Sequence, residues 1–187
     1  MPDLSPPAAA RLAEHRDCAL AVIDVQKRLL PYIHRGEQVV ANVGKLVRFA
    51  QLLDLPILWA EQENLGETAD EIRELLQGRS PIRKIHFGGF RCAEFAAAAR
   101  ALGRRTLIFC GVEAHVCVAQ TALGALPEFA VHVVADAVSS RHPDNREVAL
   151  ARLRQAGAVI TSTEMVMFEV MARAGTDTFR AVLPLIK

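Results

Sequence analysis

Two cysteines, Cys110 and Cys117, lie close together in the stretch CGVEAHVCVAQTALGAL (residues 110–126). A cysteine acts as a nucleophile through its thiolate, which is favoured near a helix N-terminus or beside a lysine. Cys117 lies near the start of a predicted helix that directly follows a strand and a glycine. Because cysteines in apolar helices more often pack in the core, the thiol alone leaves both roles open. Cys110 falls inside a predicted buried strand, where a thiol is expected to pack and not to react.

Two charged residues elsewhere in the chain have the chemistry needed to activate a thiol. Asp24 follows an apolar run in ALAVIDVQ, and a carboxylate so close to a buried strand needs a partner or a function. Asp24 is therefore equally consistent with two roles: a structural residue that caps a loop, or a general base. Lys84 alternates with Ile82 and His86 in a short strand-like run, where most lysines are solvated. Neither charged residue identifies a site by itself.

The elements that must position these residues alternate along the chain. Short β-rich runs predict strands at 18–25, 56–61, 83–87, 106–111, 130–136 and 158–161. Helical spacing predicts helices at 37–54, 93–102, 115–126 and 178–187. Possible capping boxes, Asp144 with Glu147 and Thr161 with Glu164, predict two more helices that end at Gly157 and Gly175. This alternation predicts an α/β fold with a parallel sheet covered by helices on both faces.

The predicted sheet places the candidate residues at one edge. Ligands of doubly wound sheets bind beyond the carboxyl ends of the strands, and both Asp24 and the Cys117 segment follow such ends. No GxGxxG or GxxxxGK[ST] motif follows a strand, which disfavours nucleotide-binding sites of those kinds. We predict a short lead over residues 1–16 and a single domain over 17–187.

Composition excludes several classes of partner. The net charge of +1 arises from 22 basic and 21 acidic residues and gives no footprint for nucleic acid or for a membrane surface. No apolar run reaches the roughly 18 residues that span a bilayer, and the N-terminus does not resemble a signal peptide. Four cysteines without a CxxC pair fit neither a disulfide scaffold nor a zinc ribbon. We therefore expect a cytoplasmic protein whose partner is neither nucleic acid nor a membrane.

The candidate residues also occur in a recognisable set of motifs. The segment GVEAHVCV resembles the nucleophile segment of the isochorismatase-like cysteine hydrolases, a family that includes nicotinamidases and N-carbamoylsarcosine amidohydrolase. Further segments are similar to that family and occur in its order: AVIDVQ, WAEQ, KIHFGGF, VVADAVSSR and ITSTEMVMFE. The likeness covers roughly residues 17–187 and is greatest to the isochorismatase domain-containing proteins. It implies a three-layer α/β/α fold with a mostly parallel six-stranded sheet in Rossmann-like order.

The resemblance implies a catalytic triad of Asp24, Lys84 and Cys117. Asp24 would accept the thiol proton, Lys84 would stabilise the thiolate, and the thiolate would attack a carbonyl carbon to form a thioester. The backbone N–H groups of Glu113 and Cys117 would form the oxyanion hole, next to a cis peptide bond between Val112 and Glu113. The remaining candidates are possible pocket residues: Gln26, Gln62, Phe90 and His115.

The sequence also departs from named members of this family. Nicotinamidases carry a DxHxH metal signature, whereas the matching stretch here, AEQENLGETAD, has no histidine. The chain has no HxH or HExxH pair, so we predict no metal and no other cofactor. Isochorismatases have an aspartate at the position of Cys117, so a small amide or related C–N bond is the expected target. Because oligomers are common in the family, we also expect a homo-oligomer, dimeric or larger.

Two alternatives to a hydrolase stay open at this stage. The first is a thiol-based redox or binding protein with the same fold and no hydrolytic turnover, since an oxidant sensor requires an acidic, accessible thiolate. The second is a scaffold with a vestigial pocket. The presence of both Asp24 and Lys84 favours hydrolysis, because a sensor would need only the low thiol pKa.

Overall fold

The computed structural model describes residues 12–186, and its centre is a six-stranded sheet. The strands are β1 (Cys18–Ile23), β2 (Ile57–Gln62), β3 (Ile82–Lys84), β4 (Thr106–Val112), β5 (Ala130–Ser139) and β6 (Val159–Thr161). Their spatial order is β3-β2-β1-β4-β5-β6, and every neighbouring pair is parallel. The predicted α/β class and Rossmann-like order are confirmed, in a sheet that is parallel throughout.

Helices cover both faces of the sheet. They are α1 (Gly36–Leu52), α2 (Asp70–Leu75), α3 (Ala93–Ala101), α4 (Ala119–Ala125), α5 (Pro143–Gln155), α6 (Thr163–Met171) and α7 (Asp177–Ile186). One hydrophobic cluster joins the sheet to α1, α2, α6 and α7, and a second joins it to α3, α4 and α5. Within residues 12–186, no helix is both long enough and apolar enough to cross a bilayer.

Strand β1 is buried on both faces, as its unbroken apolar run predicts. Leu20 and Val22 pack in the first cluster, whereas Ala21 and Ile23 pack in the second. This alternation follows from the two-residue period of a strand, which points successive side chains to opposite faces. Strand β1 therefore contributes side chains to both hydrophobic clusters. A shift of one residue in its register would exchange the side chains between the two clusters.

Several element boundaries differ from the prediction. Strand β3 ends at Lys84, so His86 and Phe87 belong to the following loop. The predicted helix over 115–126 consists of a π-helical segment, Ala114–Val118, followed by α4. The short helix α2 was not predicted, and most of the predicted lead over residues 1–16 lies outside the described residues.

Both predicted capping boxes are wrong. Helix α5 begins after His142 with Pro143 in its first turn, where the fixed φ of proline and its missing N–H suit a helix start. Thr161 remains in β6, and Ser162 caps α6 by accepting a hydrogen bond from the Met165 N–H at 3.2 Å. Helix α6 then ends at Met171, before the predicted end at Gly175.

Candidate active site

The candidate residues meet where two central strands end. Neighbouring β1 and β4 run parallel, with Ile23 paired to Gly111 at their carboxyl ends. The chain winds outward from β1 through β2 and β3, and then returns to β4 on the other side, so this is the switch point of the sheet. Asp24 directly follows β1 and adopts the left-handed conformation, with φ of 51°, which aspartate tolerates better than most residues.

Gly111 allows the two strand ends to approach each other. Its φ is +115°, and a Cβ at this position would lie 2.0 Å from the carbonyl oxygen of Ile23. A side chain here would therefore force the β1 and β4 backbones apart. The pairing of β4 with β5 is also irregular between Phe109 and Gly111. The chain leaves β4 here and enters the segment that carries Cys117.

Asp24 and Lys84 form a buried ion pair. The Lys84 Nζ lies 2.7 Å from Asp24 Oδ2 and donates a second hydrogen bond to Gln62 Oε1 at 2.9 Å. Burial raises the pKa of Asp24 above its usual value, and the nearby Lys84 ammonium only partly opposes this effect. The other carboxylate oxygen, Oδ1, is buried without a hydrogen-bond partner among the described residues. The pair thus leaves one acceptor oxygen unused.

Cys117 lies beside this pair, and the Asp24 and Cys117 side chains influence each other's pKa. Burial, with a further contribution from the Asp24 carboxylate, raises the pKa of Cys117 to about 12. Burial and the carboxylate together outweigh the opposing effect of Lys84, which favours the thiolate. Cys117 is 5% exposed, whereas Asp24 is 0% and Lys84 1% exposed, so Cys117 is the most exposed of the three residues.

The backbone before Cys117 has an unusual hydrogen-bond pattern. The Val112–Glu113 peptide bond is cis. The Glu113 carbonyl accepts hydrogen bonds from the N–H groups of Val116 and Val118, the residues on either side of Cys117. The Glu113 carboxylate is fixed by Arg141, which donates from its backbone N at 2.9 Å and from Nε at 3.2 Å.

Two of the possible pocket residues, Gln26 and Gln62, are buried in a hydrogen-bond network behind the ion pair. The Gln26 amide bonds the backbone N and O of Gln62, both at 2.9 Å, and donates to the Gly66 carbonyl at 2.6 Å. Gln62 accepts from Lys84 and donates to the Ile85 carbonyl at 2.8 Å. Gln26 therefore holds the end of β2, and Gln62 holds Lys84.

The other two possible pocket residues, His115 and Phe90, lie in different surroundings. His115 Nδ1 is 2.9 Å from the hydroxyl of buried Ser140, at the end of β5. Phe90 packs against Phe95 and Phe129, with ring centroids 5.7 and 5.8 Å away, respectively. Phe90 also lines a surface cavity of about 580 Å³ that includes none of the triad residues.

The remaining cysteines are free thiols in packing positions. Cys18 and Cys110 are fully buried, as predicted for Cys110, and burial raises the pKa of Cys18 to about 12 and that of Cys110 further. Cys92 is half-buried. Within the described part of the chain, no group of three or more His, Cys, Asp or Glu side chains has a geometry that could hold a metal ion.

Three residues near the site were not singled out from the sequence: Thr121, Ser140 and Arg141. Thr121 bonds the Cys117 carbonyl, Ser140 bonds His115, and Arg141 binds Glu113. A spacing of one helical turn from Cys117 is the signal that would have found Thr121. For Ser140 and Arg141 the signal is their position at the carboxyl end of β5, the same sheet edge as Asp24.

The isochorismatase domain profile matches residues 18–165 of this chain. The chain belongs to the isochorismatase family. Mouse isochorismatase domain-containing protein 2A is 34% identical over 171 residues, which cover 90% of this chain and 82% of the mouse protein. The mouse protein is one of the isochorismatase domain-containing proteins, the group whose motifs this sequence resembles.

Solved structures of isochorismatase-family relatives superpose over nearly the whole chain. MAR1 ribonuclease from Caenorhabditis elegans aligns with a TM-score of 0.87 and 30% identity, covering 94% of this chain and 92% of that one. The Escherichia coli YcaC gene product, described as an octameric hydrolase of unknown specificity, aligns with a TM-score of 0.89 and 26% identity. Coverage is 97% of this chain and 91% of YcaC. The family and these relatives indicate a hydrolase.

Proposed function

We propose that this isochorismatase-family member is a cysteine hydrolase that cleaves a small amide or related C–N bond through Asp24, Lys84 and Cys117. The observation that carries the proposal is the buried Asp24–Lys84 pair, which leaves Asp24 Oδ1 without a partner beside the Cys117 thiol. An unpartnered buried carboxylate oxygen is costly, and accepting a proton from the thiol gives it a function.

The first step is activation of the thiol. With its pKa raised to about 12, Cys117 is protonated at rest and needs a base. Asp24 accepts the proton, and burial makes its carboxylate a stronger base than an exposed aspartate. Lys84 donates to the other Asp24 oxygen and supplies the positive charge that stabilises the new thiolate.

The second step is attack on the substrate carbonyl. The Cys117 sulfur bonds to the carbonyl carbon, and the backbone N–H groups of Glu113 and Cys117 hold the oxyanion. The C–N bond then breaks, the amine leaves with the proton held by Asp24, and a thioester remains. Asp24 next takes a proton from water, and the water oxygen attacks the thioester carbon. The C–S bond then breaks, the acid leaves, and Asp24 returns the proton to the Cys117 sulfur.

Side chains, two backbone N–H groups and water carry every proposed step, so the proposed reaction needs no cofactor. The same surroundings argue against the redox alternative. An oxidant sensor needs an acidic, accessible thiolate, whereas Cys117 has a raised pKa and is almost fully buried. Cleavage of RNA, as the name of the MAR1 relative suggests for that protein, is a second class of hydrolysis to include in a substrate screen.

We also propose that the protein works as a homo-oligomer of two or more copies. The octameric YcaC relative, which aligns over 97% of this chain, supports this assembly. The near-neutral charge of the chain gives no support for nucleic acid or a membrane surface as a partner. A small-molecule substrate fits the family and a thiol that is only slightly exposed.

The test is turnover of a panel of small amides and ureides, with an RNA oligonucleotide included, by wild type and three variants. We expect Cys117→Ala to lose at least about 10³-fold in kcat, as nucleophile removal does in other hydrolases. Lys84→Met should lose about 10²-fold or more, because the base and the thiolate lose their cation. Cys92→Ala is the matched control, since it removes a free thiol outside the triad. Full activity in Cys117→Ala would refute the proposal.

A further inference from the structure

Thr121 makes two hydrogen bonds that join separate parts of the site. It lies in α4, one helical turn after Cys117, and it has no exposed surface. Its hydroxyl donates to the Cys117 carbonyl at 2.6 Å and accepts the Gly89 N–H at 2.9 Å. The first bond lies within one helical segment, whereas the second comes from the loop that follows β3.

The pairing of these bonds gives the hydroxyl a fixed orientation. A hydroxyl has a single proton to donate, and here the proton goes to Cys117, which leaves a lone pair for Gly89. Bonding to the carbonyl four residues earlier is common for threonines in helices and would by itself mean little. The bond from Gly89 makes Thr121 a link between two elements.

The linked loop begins directly after Lys84. Its first residue is Ile85, whose carbonyl accepts a hydrogen bond from Gln62 at 2.8 Å, and a second bond joins the loop at Gly89 to Thr121. A Cβ on Gly89 would lie 2.8 Å from the Phe95 ring and 2.9 Å from Thr121 Cγ2, so the loop packs directly on α4. The bonds of Gln62 and Thr121 thus fix the two ends of the short segment 85–89, which connects Lys84 to the face of α4.

We infer that Thr121 is a positioning residue that holds the Cys117 segment at a fixed distance from Lys84. Its hydroxyl fixes the peptide plane that follows Cys117 and ties it to the loop that leaves β3. The inference rests on the proposed function, because it assumes that the placement of Cys117 relative to Lys84 matters for reactivity. Loss of the hydroxyl should move the thiol away from its cation without removing any reacting group.

The experiment measures alkylation of Cys117 by iodoacetamide as a function of pH in the full chain. Digestion after glutamate cuts at Glu113 and separates Cys110 from Cys117 for mass spectrometry. Thr121→Val keeps the shape and removes the hydroxyl, Thr121→Ala removes it with a better helix former, and Thr121→Ser restores it. Thr163→Val is the matched control, since Thr163 is also buried and its hydroxyl bonds Asp136 at 3.0 Å, outside the site.

We expect both hydroxyl-free variants to alkylate at Cys117 about tenfold more slowly or more, with an altered pH profile, since small displacements of a reacting group have large effects on rate. Thr121→Ser should return to within about twofold of wild type, and Thr163→Val should stay there even if its melting temperature falls. An unchanged rate and pH profile in either folded hydroxyl-free variant would overturn the inference. So would an equal change in Thr163→Val.

This outcome is separable from the test of the proposed function. If Cys117→Ala abolishes turnover while Thr121→Val alkylates normally, the triad stands and the positioning role fails. If Cys117→Ala keeps full turnover, the hydrolase proposal fails, and the alkylation series still decides whether Thr121 positions the thiol.

Discussion

At the residue scale, the site contains two acidic groups, Asp24 and Cys117, whose pKa values are raised by burial. The Asp24 pKa is raised because its carboxylate is out of water, in spite of Lys84 at 2.7 Å. The Cys117 pKa is raised by the same burial and by the Asp24 charge. In the proposed mechanism, the thiolate therefore forms during the reaction, by proton transfer from Cys117 to Asp24, and is not present in the resting protein. Lys84 favours the charged form of both partners.

The raised pKa of Asp24 gives a pH dependence with a definite sign. The carboxylate is active as a base only after losing its proton, so kcat/KM should rise with pH through a midpoint above the ordinary value of 3.8. In Asp24→Asn this rise should disappear, and the rate should fall by about 10²-fold or more. Asparagine also tolerates the left-handed backbone, so the variant tests the carboxylate and not the turn. An acid limb at or below pH 3.8 would contradict this assignment.

At the element scale, the approach of β4 to β1 brings Cys117 to Asp24. The approach depends on Gly111, whose hydrogen lies where a Cβ would collide with the Ile23 carbonyl. The next residues leave the strand through the Val112–Glu113 bond and enter the π-helical segment that carries the thiol. A small change in the spacing of two strands would therefore be transmitted directly to the nucleophile.

Gly111→Ala should be strongly destabilising. We expect a loss of at least about 3 kcal/mol in the free energy of unfolding, since the backbone of β1 cannot move aside cheaply. Gly157→Ala is the control, because Gly157 also has a positive φ, of +100°, but a Cβ there would meet nothing within 4 Å. It should lose about 1–2 kcal/mol from backbone strain alone. Urea denaturation measures both, and similar losses in the two variants would contradict the close-approach argument.

These elements also mark the limit of prediction from sequence. The apolar run of β1 predicted burial on both faces, and the motif order predicted which residues come to one sheet edge. Helix starts were predicted less well. Pro143 begins α5 and Ser162 caps α6, in place of the capping boxes expected at Asp144 and Thr161. The bonds of Gln62 to Lys84 and of Thr121 to Gly89 join distant segments. No local pattern could reveal them, and the Cys117 pKa likewise depends on burial that only the fold supplies.

At the scale of the whole molecule, the strand order explains why the site lies between β1 and β4. Ligands of parallel sheets wound in two directions bind where the winding reverses, and Asp24 and the Cys117 segment lie at that point. The hydrophobic clusters on the two faces hold the central strands rigidly, and only strand ends and short loops supply the reacting groups. The fold thus brings a thiol, a carboxylate and an ammonium group together at one edge of the sheet.

The most direct test of the central claim is the mass of the peptide carrying Cys117 after rapid acid quenching of the enzyme during turnover of an amide. The account predicts an added mass equal to the acyl part of the substrate on Cys117, removable by hydroxylamine and absent in Cys117→Ala. Turnover that continues at the wild-type rate in Cys117→Ala, or an acyl group found on Cys92 instead, would contradict it.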